Sequence, residues 1–216
     1  MFKAVIFDMD GLLIDSEPLW ERAETEVFSA LGVQITPELK KQTAHRTTDE
    51  VTAFYFNLFP WQGPSQAEVE QRVIDRVIEL VEAEGKALPG VFALLTALQD
   101  RNIPFALATN STREIMQRTL KHLDVIHLFA HLCCADDVAK GKPEPDIYLL
   151  AADKLGMSPT ACLVFEDSVT GMTAGHKAGM AVTVVPGRQD LDDPRFDIAQ
   201  YKLKSLEDVD LSLFSA

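Results

Sequence analysis

Four short, uninterrupted apolar runs recur along the chain, and each gives way to a polar cluster. Ala4–Phe7 leads to Asp8-Met9-Asp10-Gly11, and Phe105–Ala108 to Thr109-Asn110-Ser111. Residues 132–135 lead to a loop carrying Gly141-Lys142-Pro143, and residues 161–165 to Glu166-Asp167-Ser168. Runs with no polar alternation fit strands buried on both faces of a parallel sheet, whose reactive groups gather in the crevice beyond the carboxyl ends. Helical signals lie between them: a capping box from Ser111 to Glu114, a helix over 146–155 closed by Gly156, and a helix over 169–178. Small residues in that last helix, Gly171, Ala174, Gly175 and Ala178, allow close packing on the sheet. The pattern predicts an α/β fold, a Rossmann-like parallel sheet core.

Between the first and second runs the period changes from strand-like to helical. Leu19, Ala23, Val27, Ala30 and Leu31 mark one helix, stopped at Gly32, and Val51, Phe54, Tyr55, Leu58 and Phe59 mark another before Pro60. A capping box from Ser65 to Glu68 opens a third, with Val69, Val73, Val77, Leu80 and Val81 on one face and Gly85 after it. A small helical domain over 16–82 is expected, inserted into a core made of 1–15 and 83–216.

The polar clusters carry the chemistry. Residues two apart on extended chain point the same way, so Asp8 and Asp10 can face one pocket. Paired carboxylates need a cation or a shared proton, and a hard divalent ion, Mg²⁺, suits oxygen ligands. Counted from Asp8, an EF-hand calcium loop would need Gly at its sixth position and Glu at its twelfth, where this chain has Leu13 and Leu19. An acidic turn after a strand accounts for this cluster alone equally well. Thr109 sits at a strand-to-helix junction suited to phosphate, whereas Ser111 is expected to serve as a helix cap. Pro143 and Pro145 stiffen the loop that presents Lys142. Glu166 and Asp167 form a second candidate metal-binding pair.

Taken together, these motifs resemble those of the haloacid dehalogenase superfamily, in its subgroup of phosphatases and phosphomutases with a small helical cap. Asp8-Met9-Asp10-Gly11-Leu12-Leu13-Ile14-Asp15 resembles the first family motif, Thr109 the second, Lys142 in Gly-Lys-Pro-Glu-Pro-Asp the third and Glu166-Asp167 the fourth. The stretches Asp15-Ser16-Glu17-Pro18-Leu19-Trp20, Trp61-Gln62-Gly63-Pro64-Ser65 and Glu166-Asp167-Ser168-Val169-Thr170-Gly171-Met172 look like those of bacterial 2-deoxyglucose-6-phosphate and hexitol-phosphate phosphatases.

The resemblance implies a mechanism. Asp8 is the expected nucleophile and Asp10 the general acid and base. Thr109, Asn110 and Lys142 are expected to bind phosphate. Mg²⁺ is expected on Asp8, Asp167 and the main-chain carbonyl of Asp10, with Glu166 either as a further ligand or behind the ligands. The helical insertion would close over the crevice, with Glu17, Trp20, His45 and Arg46 as candidates for substrate choice. The implied activity is Mg²⁺-dependent hydrolysis of a hexose or hexitol phosphate through an aspartyl-phosphate. A β-phosphoglucomutase-like phosphomutase shares every core motif and differs in holding a second phosphate with cap cations. Arg46 is one such cation, but the third insertion helix offers Arg72 and Arg76 and no lysine. A phosphoglycolate or nucleotide phosphatase shares the motifs as well.

Composition narrows the partners. A net charge of -13 over 216 residues argues against nucleic acid and anionic membranes and leaves open the small phosphorylated metabolite that the resemblance implies. Cys133, Cys134 and Cys162 lie in apolar runs without metal spacing and are expected as reduced core thiols. With no charged leader and no apolar window long enough to span a bilayer, a cytoplasmic monomer is expected.

Overall fold

In the computed structural model, which describes residues 1–43 and 46–215, the apolar runs become neighbouring strands of one sheet. Strands β1 (Ala4–Phe7), β2 (Phe105–Ala108), β3 (His131–Cys133), β4 (Cys162–Glu166), β5 (Ala181–Val184) and β6 (Tyr201–Lys202) pair in the order β3-β2-β1-β4-β5-β6. Every pairing is parallel, with Ile6 opposite Ala106 on one side and Val164 on the other. From β1 the chain proceeds to β2 and β3, then crosses back to β4 on β1's other side. The crevice at the carboxyl ends of β1 and β4 is therefore the topological switch point, where ligands bind in open α/β sheets.

Both sheet faces are covered, which is why the strands lack polar alternation. Val5, Phe7, Phe105, Leu107, Leu163 and Phe165 join one apolar cluster with helices α5 (Val91–Asp100) and α6 (Arg113–His122). Phe7 stacks on Phe165 with centroids 5.3 Å apart. Ala4, Ile6, Ala106, Cys162, Val164 and Val182 form the other cluster with α7 (Asp146–Lys154) and α8 (Val169–Lys177). The three cysteines are free and buried, and burial pushes the Cys134 and Cys162 thiols up to about 11, as expected of inert core thiols.

The segment between β1 and α5 folds as α1 (Glu17–Ala30), α2 (Pro37–Thr43), α3 (Thr48–Leu58) and α4 (Gln66–Glu84), with α1 and α3 packed on α4. The Ser65–Glu68 box forms as expected: the Ser65 N–H donates to Glu68 Oε2 at 2.7 Å and the Glu68 N–H to Ser65 Oγ at 3.3 Å. Helix α4 runs on to Glu84 and lies against α6, where Arg118 pairs with Glu82 at 2.5 Å. The two crossings to this segment run side by side: the Asp15 N–H donates to the Lys86 carbonyl at 3.0 Å and the Leu88 N–H to the Leu13 carbonyl at 3.1 Å.

Two boundaries differ from expectation. Strand β3 stops at Cys133, because Asp137 Oδ2 accepts the Cys134 N–H at 3.0 Å and turns the chain into a short 3-10 helix. Helix α6 begins at Arg113 rather than behind a Ser111 cap; Asp136 of the neighbouring loop accepts the Arg113 N–H at 2.8 Å, and Ser111 is engaged elsewhere. Strands β5 and β6 and helices α2 and α5 carry too short or too weak a periodicity to have been assigned from the sequence.

Helix α8 starts directly over the end of β4, and its first turn crosses the buried Glu166 carboxylate. A Cβ added at Gly171 would lie 1.8 Å from Glu166 Oε1. Gly171→Ala must therefore displace a buried charge or the helix, and is expected to destabilise the fold by about 3 kcal/mol or more. Urea unfolding checks this; a loss below about 1 kcal/mol would show that the first turn yields without disturbing Glu166.

Candidate active site

The floor of the crevice is built around one buried ammonium. Lys142, in the loop after β3, lies with Nζ 2.5 Å from Asp8 Oδ1 and 2.6 Å from Glu166 Oε1. Asp8 extends from the end of β1 and Glu166 from the end of β4, so one cation joins two adjacent strand ends. The Tyr148 ring on α7 lies under the ammonium, 4.7 Å from it, and the Tyr148 hydroxyl donates to Glu166 Oε1 at 2.5 Å. The lysine main chain is held too: its N–H donates to Asn110 Oδ1 at 2.8 Å, and Asn110 Nδ2 donates to its carbonyl at 3.1 Å.

Burial works against charge on Lys142, but the carboxylates of Asp8 and Glu166 outweigh it and raise its pKa. Glu166 is fully buried, yet its pKa is lowered: burial pushes it up, and Lys142, Tyr148 and Ser168 together pull it further down. Asp8 goes the other way, to about 8, because burial dominates, assisted by Glu166 and Asp10 and opposed by Lys142. Asp167 is likewise raised well above the usual carboxyl range by burial and then by Glu166, Asp8 and Glu17. Three carboxyl groups share one ammonium here, and the excess negative charge favours a further cation.

Asp8, Glu166 and Asp167 each offer an oxygen within 4.8 Å of the others, a spacing suited to a metal ion. The donors are all hard oxygens. Gly11, in a left-handed conformation at φ +72°, gives Asp167 its room, since a Cβ there would lie 2.1 Å from Asp167 Oδ2. Glu166 is already saturated: Lys142 and Tyr148 occupy Oε1, while Oε2 accepts from Ser168 Oγ at 3.0 Å and from the Asp167 and Ser168 N–H groups at 3.2 Å. Asp8 and Asp167 thus have free lone pairs for a hard cation, and Glu166 chiefly holds Lys142.

Asp10 occupies the joint between the sheet and the helical insertion. Its Oδ1 accepts from Ser16 Oγ at 2.7 Å and from Trp20 Nε1 at 3.0 Å. Its Oδ2 accepts from Ser111 Oγ at 2.7 Å and, more weakly, from Thr109 Oγ1 at 3.5 Å. Ser111 therefore serves Asp10 rather than capping α6, and Trp20 approaches the reacting end of the cleft instead of its far wall. Thr109 is buried and also accepts the Ser111 N–H at 3.1 Å.

A cleft of roughly 400 Å³ opens above this floor, lined by Asp8, Asp10, Thr109, Lys142 and Asp167 below and by α1, α2 and the start of α3 above. Glu17, Trp20 and Arg46 line it as expected; Arg46 also stacks over Phe54, 5.4 Å from the ring centroid. His45 lies outside the described residues. Ser16, Glu24, Lys40, Ser111 and Tyr148 were not picked out as site residues from the sequence. Glu17, Trp20, Glu21 and Glu24 share a helical spacing that could have revealed a second, polar stripe on α1. Nothing local marks Tyr148.

The family profile described as haloacid dehalogenase-like hydrolase matches residues 2–179. Hexitol phosphatase B of Escherichia coli K12 is 42% identical over 207 residues, covering 95% of this chain and 93% of its own. A probable pseudouridine-5'-phosphatase of Drosophila melanogaster is 35% identical over 88% of this chain and 81% of its own. The structure of CbbY from Rhodobacter sphaeroides with xylulose-1,5-bisphosphate superposes with a TM-score of 0.87 at 27% identity, over 100% of both chains. With the sheet order, the switch-point crevice and these matches in agreement, the chain belongs to the haloacid dehalogenase-like hydrolases and is an enzyme of their phosphoric monoester hydrolase kind.

Proposed function

We propose that the protein is a Mg²⁺-dependent phosphatase of small sugar phosphates, hexitol or hexose phosphates, acting through an aspartyl-phosphate. The observation that carries this reading is Lys142 Nζ, 2.5 Å from Asp8 Oδ1 at the switch-point crevice: a nucleophile beside the cation that an anionic substrate needs. The naming of a 42% identical relative as a hexitol phosphatase supports the substrate class.

Asp8 attacks phosphorus while the bond to the sugar oxygen breaks, and Asp10 gives that oxygen a proton. Water then attacks the aspartyl-phosphate, passing its proton to Asp10 and restoring Asp8. Lys142 neutralises phosphate oxygens as a point charge held by Glu166. The main-chain N–H groups of Met9, Asp10 and Asn110 have no protein acceptor among the described residues and would receive phosphate oxygens, alongside the Thr109 hydroxyl. The Asn110 side chain, engaged on both sides by the Lys142 main chain, acts by fixing that loop. Asp8, Asp167 and the Asp10 carbonyl would hold Mg²⁺, which when bound supplies positive charge beside the phosphate oxygens. Residues 16–82 act as a cap that shields the site from water.

A phosphomutase is the second reading, favoured by Lys41 and Arg46 in the cleft wall. Arg76 does not contribute, being committed to Glu26 at 2.6 Å and Glu79 at 2.7 Å. Phosphate release from p-nitrophenyl phosphate and hexitol phosphates tests the main reading. Asp8→Asn should lower turnover on the order of 10³-fold or more, and Asp10→Asn on the order of 10²-fold. Wild-type turnover in Asp8→Asn would sink the aspartyl-phosphate. Conversion of β-glucose 1-phosphate to glucose 6-phosphate with little phosphate released would establish the mutase.

The Asp8 pKa, raised to about 8, predicts that the metal-free site takes up a proton near neutral pH, and the raised pKa of Asp167 acts in the same direction. Mg²⁺ binds the deprotonated form, so its affinity should weaken as pH falls below about 8, by up to about tenfold per pH unit for each proton displaced. Titration calorimetry in buffers of different ionisation enthalpy measures the protons released; none released at pH 7 would contradict the assignment.

Tyr148→Phe removes a charge-assisted hydrogen bond while leaving the ring under Lys142. Turnover should fall about tenfold with KM nearly constant, because the loss is in how Lys142 is positioned. An unchanged kcat would mean that Glu166 holds Lys142 unaided.

A further inference from the structure

Helix α1 presents two faces. Leu19, Ala23 and Phe28 are buried in the apolar cluster, while Glu17, Trp20, Glu21 and Glu24, at the i, i+3, i+4, i+7 spacing of one helical face, line the cleft whose floor holds Asp8 and Lys142. Three of these four have an evident place: Trp20 donates to Asp10, Glu21 pairs with Lys40, and Glu17 is exposed to water. Glu24 is half-buried, with no hydrogen bond or ion pair among the described residues. The patch behind it is unsatisfied as well. The fully buried Tyr55 hydroxyl, near Thr43 and Glu24, has no hydrogen-bond partner of good geometry among the described residues. Burial pushes the Glu24 carboxyl up to about 7, with Lys40 opposing and Glu21 reinforcing the shift.

A sheltered carboxyl with no partner among the described residues costs stability, and a group of this kind calls for an explanation outside those residues. Glu24 stands one helical turn, about 5.4 Å along α1, beyond Trp20 and hence further from the phosphate end of the cleft. A chain of several carbon atoms spans that distance. The hydrogen bonds Glu24 lacks are those that hydroxyl groups on such a chain supply, and a carboxylate accepts two vicinal hydroxyls as readily as one. A second anionic group arriving there would meet like charge in a poorly solvated place.

We propose that Glu24 is the specificity-determining residue of this site, receiving the hydroxyl groups of an uncharged, polyhydroxylated alcohol and rejecting alcohols that carry a second anion. The proposal rests on the phosphatase reading above and adds to it the chemical class of the leaving group.

The test compares kcat/KM of the full-length wild type, Glu24→Gln and Glu24→Leu with Mg²⁺ on three esters. These are glucitol 6-phosphate, 6-phosphogluconate, which carries a second anion at the far end of the same six-carbon chain, and p-nitrophenyl phosphate, which has no hydroxyl to bind. The ratio of glucitol 6-phosphate to p-nitrophenyl phosphate should fall about tenfold in Glu24→Leu. The ratio of 6-phosphogluconate to glucitol 6-phosphate should rise about tenfold in both variants. Because an unpaired sheltered carboxyl is removed, Tm should rise in both, by about 2 °C or more for Leu. Ratios within about twofold of wild type overturn the proposal. A fall of Tm in both variants overturns it as well, since Glu24 would then belong to the packing of the helices. If wild-type protein released no phosphate from p-nitrophenyl phosphate in an Asp8-dependent way, the phosphatase reading itself would fall and this proposal with it. Asp8-dependent release with unmoved ratios removes Glu24 alone.

Discussion

One buried ammonium organises the carboxyl end of the sheet. Lys142 meets Asp8 from β1 and Glu166 from β4, residues 134 and 24 positions away in sequence, and its main chain is held by Asn110 from the end of β2. Three strand ends are thereby tied to one loop. Such an arrangement is costly to interrupt, because removing one partner leaves an uncompensated charge where water does not reach, typically about 3–5 kcal/mol. The neighbouring features follow from this constraint. Tyr148 fills the remaining contacts of the ion pair from α7, Ser168 and two main-chain N–H groups take the other Glu166 oxygen, and α8 can begin over that carboxylate because residue 171 has no side chain.

Yet the cluster is not neutral. Glu166 and Lys142 satisfy each other, which leaves Asp8 and Asp167 with raised pKa values and one ammonium already shared. A site stabilised as a closed structural ion pair would not retain this imbalance. It suits a cavity that receives a hard cation and an anionic ester together, and it reconciles a chain of net charge -13 with a phosphate substrate, since local charge and not the total decides what enters.

The strand ends were legible in the sequence because each reactive group follows directly on an apolar run; adjacency in the chain and adjacency in space coincide there. What escaped was chemistry made by partners far apart. Ser111 has the local signature of a helix cap, and only the fold brings it to Asp10, 101 residues away. Tyr148 looks like any core aromatic of an amphipathic helix until the loop before it places Lys142 over its ring. Trp20 was read as a candidate for substrate choice, and its indole also reaches back to the motif ten residues earlier. Its position beside Asp167 left Glu166 open as a metal ligand or as a support behind the ligands, and its saturation by five donor groups is a tertiary fact.

Asp10 shows how the helical insertion bears on the chemistry. Two of its four partners, Ser16 and Trp20, belong to the start of the insertion, and the other two, Thr109 and Ser111, to the end of β2. The insertion joins the sheet through two crossings hydrogen-bonded to each other, Leu13 to Leu88 and Asp15 to Lys86, and through the flank of α4 along α6. A rotation of α1 about that paired ribbon changes the 3.0 Å Trp20–Asp10 contact while leaving Thr109 and Ser111 where the sheet holds them. The hydrogen bonding of Asp10 therefore depends on the helical insertion as well as the sheet, whereas the side chains of Asp8 and Lys142 bond only to groups at the sheet's carboxyl end. Asp8 and Asp10, the proposed nucleophile and proton carrier two residues apart in sequence, thus have separate hydrogen-bonding surroundings.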